Sequence, residues 1–76
     1  MITVKLYGLL RIDSGIKELK MEAASIKEVF QNLARQGISQ TDLNSCMILI
    51  NCKPAGKRDP LQDGDVVQLM SPVAGG

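Results

Sequence analysis

Residues 25–37 read SIKEVFQNLARQG, and this stretch decides the fold expected for the chain. It predicts a helix with apolar side chains at i, i+3, i+4 and i+7, all on one side. These residues are Ile26, Val29, Phe30 and Leu33. Ser25 and a glutamate three residues later have the form of a capping box, and Gly37 suits the left-handed position that ends a helix. Such a helix must bury its apolar side against another layer.

Strand patterns stand on both sides of this helix. Residues 2–7 alternate apolar and polar side chains, and residues 16–21 follow after a Gly-ended loop, so an opening antiparallel hairpin is expected. After the helix, residues 46–50 are almost continuously apolar, which is typical of a strand that is central or covered on both faces. Residues 65–70 follow an Asp-Gly turn and predict the last strand.

The segment between the last two strands is less regular. Residues 51–54 are expected to form a tight turn, and residues 55–60 an irregular surface stretch with at most a very short edge strand. The element order β-β-α-β-(short β)-β predicts an α+β fold. A mixed sheet of four to five strands would cover one helix, with the first and last strands parallel in its middle.

Composition limits the partners and the location. The chain has 76 residues, a net charge of +1 and no basic run, so neither nucleic acid nor an anionic membrane is favoured as a partner. Its longest apolar run, residues 46–50, is too short to cross a bilayer. No signal-peptide pattern is visible at the start. We expect a single cytoplasmic domain.

Residues for catalysis or metal binding are scarce. The chain has no histidine, and its two cysteines lie six positions apart, which is neither a redox nor a zinc spacing. Cys46 is interpreted as a small core residue and Cys52 as a turn residue. The aspartates near the last turn are explained by the preference of aspartate for turns and helix caps. No metal site and no catalytic group of its own are expected, which leaves the C-terminal carboxylate as the reactive group.

Residues 71–76 read SPVAGG and are expected to form a flexible tail behind a domain of residues 1–70. Pro72 lacks an N–H and discourages the sheet from continuing. Gly75 and Gly76 carry no side chains, so such a tail can enter a narrow slot in a partner.

Two longer stretches carry a resemblance to a known family. Residues 61–76, LQDGDVVQLMSPVAGG, resemble the end of the small subunit of molybdopterin synthase, which closes with an L-x-D-G-D-x-V strand and a Pro-Val-x-Gly-Gly tail. Residues 1–11 resemble the same family's first strand and the segment that ends in arginine, and residues 50–51 match its V-N dipeptide. The resemblance implies the β-grasp, ubiquitin-like fold of the MoaD/ThiS sulfur carriers.

The resemblance also implies a chemistry at Gly76. An E1-like (MoeB/ThiF-like) adenylating enzyme would use ATP to activate the Gly76 carboxylate, and a sulfur donor would convert it to a thiocarboxylate. The tail, Pro72, Val73, Ala74 and Gly75, would be recognised by a MoaE-like molybdopterin synthase large subunit, where the sulfur enters the molybdenum or tungsten cofactor. The chain itself would be a carrier rather than an enzyme, with no stably bound cofactor.

A docking surface near the tail is implied as well. The resemblance gives Tyr7, Leu61, Leu69 and Met70 as candidates for an apolar face, and Arg11 as a partner for an acidic loop. Three alternatives stay open: a carrier that serves a thiazole synthase in thiamine synthesis, a ubiquitin-like modifier joined to lysines through Gly76, and a plain interaction module. Pro72 and Arg11 favour the molybdopterin pathway over the thiamine one.

Overall fold

The computed structural model describes residues 1–71, which form one five-stranded mixed sheet and three helices. The strands are β1 (Ile2–Tyr7), β2 (Glu18–Met21), β3 (Met47–Ile50), β4 (Lys53–Ala55) and β5 (Val66–Met70). The helices are α1 (Leu9–Ser14), α2 (Ile26–Arg35) and α3 (Gln40–Ser45). None of these helices is long and apolar enough to span a membrane.

The sheet has the order β2-β1-β5-β3-β4, with the first and last strands at its centre. β1 and β5 are parallel, while β2 pairs with β1, and β3 with β5, in the antiparallel sense. A parallel pair needs a crossover connection, and the segment that contains α2 is part of it. This is the β-grasp arrangement, and the predicted central pairing is confirmed.

The core lies between one face of the sheet and α2. Ile26, Val29 and Leu33 are completely buried, and Phe30 is 6% exposed, so the predicted apolar stripe is confirmed. The strands contribute Ile2, Val4, Leu6, Met21, Ile48, Val67 and Leu69. Alternate residues of each strand face this layer, as a pleated sheet requires.

Both ends of α2 follow from its own sequence. At the start, the Ser25 hydroxyl accepts the Glu28 backbone N–H at 3.4 Å. At the other end, Gly37 has a φ of 94°, and its N–H donates to the Ala34 carbonyl. The Ile38 N–H reaches back to the Leu33 carbonyl at 3.2 Å, which completes a Schellman motif.

The connection between β1 and β2 differs from the predicted loop, because it contains α1. Gly8, with φ 67° and ψ −139°, turns the chain out of β1, and Gly15 ends the helix in the left-handed region. Leu10 is 1% exposed and anchors the helix to the core. Six residues give too few turns for a helical period to show in the sequence.

The region after β3 also departs from the prediction. The turn contains only Asn51 and Cys52, whose φ values of 51° and 69° match the two-residue turn that suits a hairpin. Lys53–Ala55 forms β4, so the short edge strand begins two residues before the expected stretch 55–60 and shares only Ala55 with it. β3 is not covered on both faces either, since Met47 is 60% exposed.

Candidate functional site

The sheet face opposite α2 carries a row of apolar side chains at the end of β5. The strand register aligns Tyr7 with Met70, and Met70 with Met47. Met47 is exposed, while Tyr7 and Met70 are half-buried. In the next row, Leu49 lies beside Gln68. We call Tyr7, Met47, Leu49 and Met70 the open-face patch.

Tyr7 is held in place within this patch. Its hydroxyl accepts a hydrogen bond from the Gln68 side-chain amide at 3.2 Å. A buried or half-buried tyrosine with a satisfied hydroxyl presents its ring at low entropic cost, which suits a contact surface. Methionines adapt their shape to a partner, so Met47 and Met70 complement the fixed ring.

Two of the docking candidates lie elsewhere. Leu69 is 0% exposed and Leu61 is 8% exposed, and both belong to the core between the sheet and α2. Leu69 alternates with its neighbour Met70 along β5, so its side chain points to the covered face. In this structure neither leucine is available on the expected docking surface.

The open-face patch includes residues that sequence reasoning missed. Met47 and Leu49 belong to the run at 46–50, where the apolar composition was interpreted as burial. One feature of the sequence could have indicated them. The run at 46–50 has apolar residues on both faces of its strand, and it lies next to a very short edge strand. A strand there has one face without cover, so its outward apolar residues are candidates for binding.

Arg11 lies on α1 and is exposed. The helix packs beside β1 and β5, so Arg11 stands on the same end of the molecule as the strand that leads to residue 72. Its expected contact with an acidic partner stays a prediction.

Ser71 belongs to the folded part rather than to the tail. It is 7% exposed, and its hydroxyl accepts the Leu10 N–H at 3.2 Å and donates to the Tyr7 carbonyl at 3.3 Å. The fold therefore extends one residue beyond the expected boundary at 70. The tail residues Pro72, Val73, Ala74, Gly75 and Gly76 lie outside the described residues.

Cys46 borders a shallow cleft beside the end of β5. The cleft, about 470 Å³, is lined by Ser45, Cys46, Met47, Met70 and Ser71. Burial raises the pKa of the Cys46 thiol, and the thiol donates to the Leu43 carbonyl at 3.0 Å. A thiol that stays protonated is a weak nucleophile, so Cys46 fits the interpretation as a packing residue.

The aspartates near the last turn have structural partners. Asp65 accepts the Gln62 backbone N–H at 2.9 Å and the Asn51 side-chain amide at 3.0 Å. Both bonds lower the pKa of the Asp65 carboxyl, and the bond from Gln62 has the larger effect. Asn51 in turn accepts the Val66 N–H, which ties the β3–β4 turn to the start of β5. Among residues 1–71, no three potential metal-binding side chains form a cluster.

Comparisons with known proteins agree with this architecture. The model of the ThiS family matches residues 4–76. No curated protein matches the chain. Among solved structures, a chain from the protein–protein complex of subunits 1 and 2 of molybdopterin-converting factor from Helicobacter pylori 26695 is 28% identical, with a TM-score of 0.74. The match covers 99% of this chain and 97% of that one.

Two further structures are similar in fold. Small archaeal modifier protein 1 from Haloferax volcanii has a TM-score of 0.81 at 17% identity, over 95% of this chain and 97% of that one. A chain of the BexX/CysO complex from Amycolatopsis orientalis has a TM-score of 0.75 at 21% identity, with both chains fully covered. Since the family model spans nearly the whole sequence, the chain belongs to the ThiS family of small ubiquitin-like sulfur carriers with the β-grasp fold.

Proposed function

We propose that this carrier delivers sulfur for molybdopterin synthesis, with Gly76 as the residue that receives and donates the sulfur. The observation that carries the proposal is the open-face patch at the end of β5. A partner docked on Tyr7, Met47 and Met70 lies beside Ser71, and five further residues can span at most about 18 Å. Gly76 is thus within reach of an active site in that partner.

The chemistry needs three steps. In the first, a Gly76 carboxylate oxygen attacks the α-phosphorus of ATP and pyrophosphate leaves, which gives an acyl adenylate with AMP as a good leaving group. In the second, a persulfide sulfur attacks the acyl carbon and AMP leaves. A thiol then reduces the resulting S–S bond and frees the thiocarboxylate. The chain contributes the carboxylate, and the E1-like partner contributes the ATP site.

Sequence identity favours the molybdopterin pathway. The similar chain from Helicobacter pylori comes from a complex of molybdopterin-converting factor subunits, and its identity of 28% extends over almost the whole chain. We propose a large subunit of that kind as the sulfur-receiving partner. Exposed Arg11 on α1 would pair with an acidic loop of this partner.

The name of the matching family supports a second candidate. The ThiS model covers residues 4–76, which keeps a thiazole synthase as an alternative recipient of the same thiocarboxylate. The two candidates share the carrier chemistry and differ in the enzyme that accepts the sulfur.

Intact mass measurement tests the carrier chemistry. The protein is incubated with an adenylating enzyme, ATP, a persulfide donor and a thiol reductant, and a mass gain equal to the exchange of one oxygen for one sulfur is expected. Deletion of Gly76 removes the attachment site and leaves residues 1–71 unchanged, so the gain should disappear while the fold persists. A gain that survives the deletion would show that the sulfur is attached elsewhere.

The recipient is tested with the purified thiocarboxylate. Mixing it with a molybdopterin synthase large subunit and the cofactor precursor should restore the original mass and form the dithiolene product. Transfer only to a thiazole synthase would replace the proposed pathway with the alternative, and isopeptide-linked lysines would identify a protein modifier.

A further inference from the structure

Helix α1 begins without a capping side chain from its own neighbourhood. Its N-cap is Gly8, which has no side chain to accept a hydrogen bond. Leu10 is the second residue of the helix, and the N–H at this position is one that an N-cap oxygen normally satisfies. The helix therefore needs an acceptor from another part of the chain.

Ser71 supplies that acceptor from 61 positions away. Its hydroxyl oxygen lies 3.2 Å from the Leu10 nitrogen, and its hydrogen goes to the Tyr7 carbonyl at 3.3 Å. The Ser71 backbone N–H also points to the Tyr7 carbonyl, at 3.5 Å. The last described residue is thus bound to both sides of the β1–α1 corner.

Gly8 allows this close approach. A Cβ at position 8 would lie 2.7 Å from the Ser71 hydroxyl oxygen and 3.0 Å from the Ser71 carbonyl oxygen. The φ of 67° and ψ of −139° also belong to a backbone region that is essentially reserved for glycine. The corner is therefore shaped around Ser71 as well as capped by it.

We propose that Ser71 is a positioning residue for sulfur transfer, an inference that rests on the proposed function. By capping α1 it fixes the start of the tail, and with it the helix that carries Arg11, relative to Tyr7 and Met70. A partner on the open-face patch then receives residue 72 and those after it from one fixed point. Pre-organisation of this kind aids the step in which Gly76 reaches the reacting atoms.

The test compares steady-state kinetics of thiocarboxylate formation for the wild type and Ser71→Ala. The open-face patch is unchanged, so KM for the carrier should stay within about twofold. Loss of the cap should lower kcat about fivefold, the factor that corresponds to a lost helix cap. Ser71→Thr keeps an oxygen at the same place and should restore most of kcat.

Ser14→Ala is the matched control. The Ser14 hydroxyl accepts the Ile16 N–H at 3.0 Å and donates to the Leu10 carbonyl at 2.5 Å, so its loss removes two hydrogen bonds at the far end of α1 and leaves both hydrogen bonds of the Ser71 hydroxyl in place. It should leave kcat unchanged. An equal drop for Ser14→Ala and Ser71→Ala would mean that α1 stability alone matters, and would overturn the positioning role.

Amide hydrogen exchange at Leu10 tests the cap without any partner. Exchange should be about fivefold faster in Ser71→Ala than in the wild type, and close to the wild-type rate in Ser71→Thr. Unchanged Leu10 exchange, or unchanged kcat, in Ser71→Ala would refute the inference. If the wild type gains no sulfur, the proposed function is wrong, and the Leu10 exchange rate still decides whether Ser71 caps α1.

Discussion

The two faces of the sheet carry similar apolar side chains, which are buried in the core on one face and exposed on the other. On the face covered by α2, Val4, Leu6 and Leu69 are at most 1% exposed. On the other face, Met47 is 60% exposed, although it too is apolar. Apolar composition alone thus does not separate residues that hold the fold together from residues available for a partner. The two groups are separated by the face of the pleated sheet on which a side chain lies and by whether α2 covers that face.

Neighbours on β5 give the largest contrast. Leu69→Ala leaves a cavity in the core and should lower the free energy of unfolding by about 3 kcal/mol. Met70→Ala removes a half-buried side chain from the open face and should cost less than about 1 kcal/mol. Urea denaturation measures both. Similar losses for the two variants would show that the faces do not differ as described.

The contrast should reverse when partner binding is measured. Met70→Ala or Tyr7→Ala should weaken binding to the adenylating enzyme about tenfold, because central contacts of an interface carry about 1.4 kcal/mol or more. Calorimetric titration provides the affinity. Ile12→Ala is the control, since Ile12 is 73% exposed on α1 and lies outside the open-face patch. Wild-type affinity in both patch variants would move the docking surface elsewhere.

The covered face also depends on how well α2 is formed. Ser25→Ala removes the acceptor of the Glu28 N–H and should lower the free energy of unfolding by about 1 kcal/mol. Ser25→Asp keeps an acceptor and should retain wild-type stability. Thermal unfolding distinguishes the two variants. Equal melting temperatures for Ser25→Ala and the wild type would show that the Ser25 cap does not stabilise the fold. Neither change should affect partner affinity.

The smallest effect concerns the carboxylate that ties the turns together. The pKa of Asp65 is lowered in the folded protein, chiefly by the Gln62 N–H, so its stabilising contribution is present above the ordinary aspartate range. That contribution is lost as the pH falls below about 4. Asp65→Asn should flatten this part of the stability profile. An identical acid dependence in wild type and variant would contradict the assignment.

Features that depend on residues close together in the sequence could be predicted, whereas features that depend on distant residues could not. The ends of α2 depend on Ser25 and Gly37, which stand next to the helix, so its position could be predicted. Helix α1 could not, because its cap comes from Ser71, far along the chain. Sequence patterns relate residues that are close together along the chain, and no pattern near Gly8 indicates a helix.

The site shows the same division. The central pairing of β1 with β5 followed from the order of elements and their crossover, whereas the register that sets Tyr7 beside Met70 is known only from the structure. Leu69 was named as a docking candidate from the resemblance, together with its neighbour Met70, but adjacent residues of a strand point to opposite faces, and Leu69 is buried on the face that α2 covers. Met47 was missed because an apolar run resembles a strand buried on both faces.

The most direct test of the account is the location of the sulfur. After loading by an adenylating enzyme, ATP, a persulfide donor and a thiol reductant, the protein is digested and its peptides are sequenced by mass spectrometry. We expect one oxygen-to-sulfur exchange at the Gly76 carboxylate and no added sulfur on the thiols of Cys46 and Cys52. Sulfur added to either cysteine as a persulfide, with Gly76 unchanged, would contradict it.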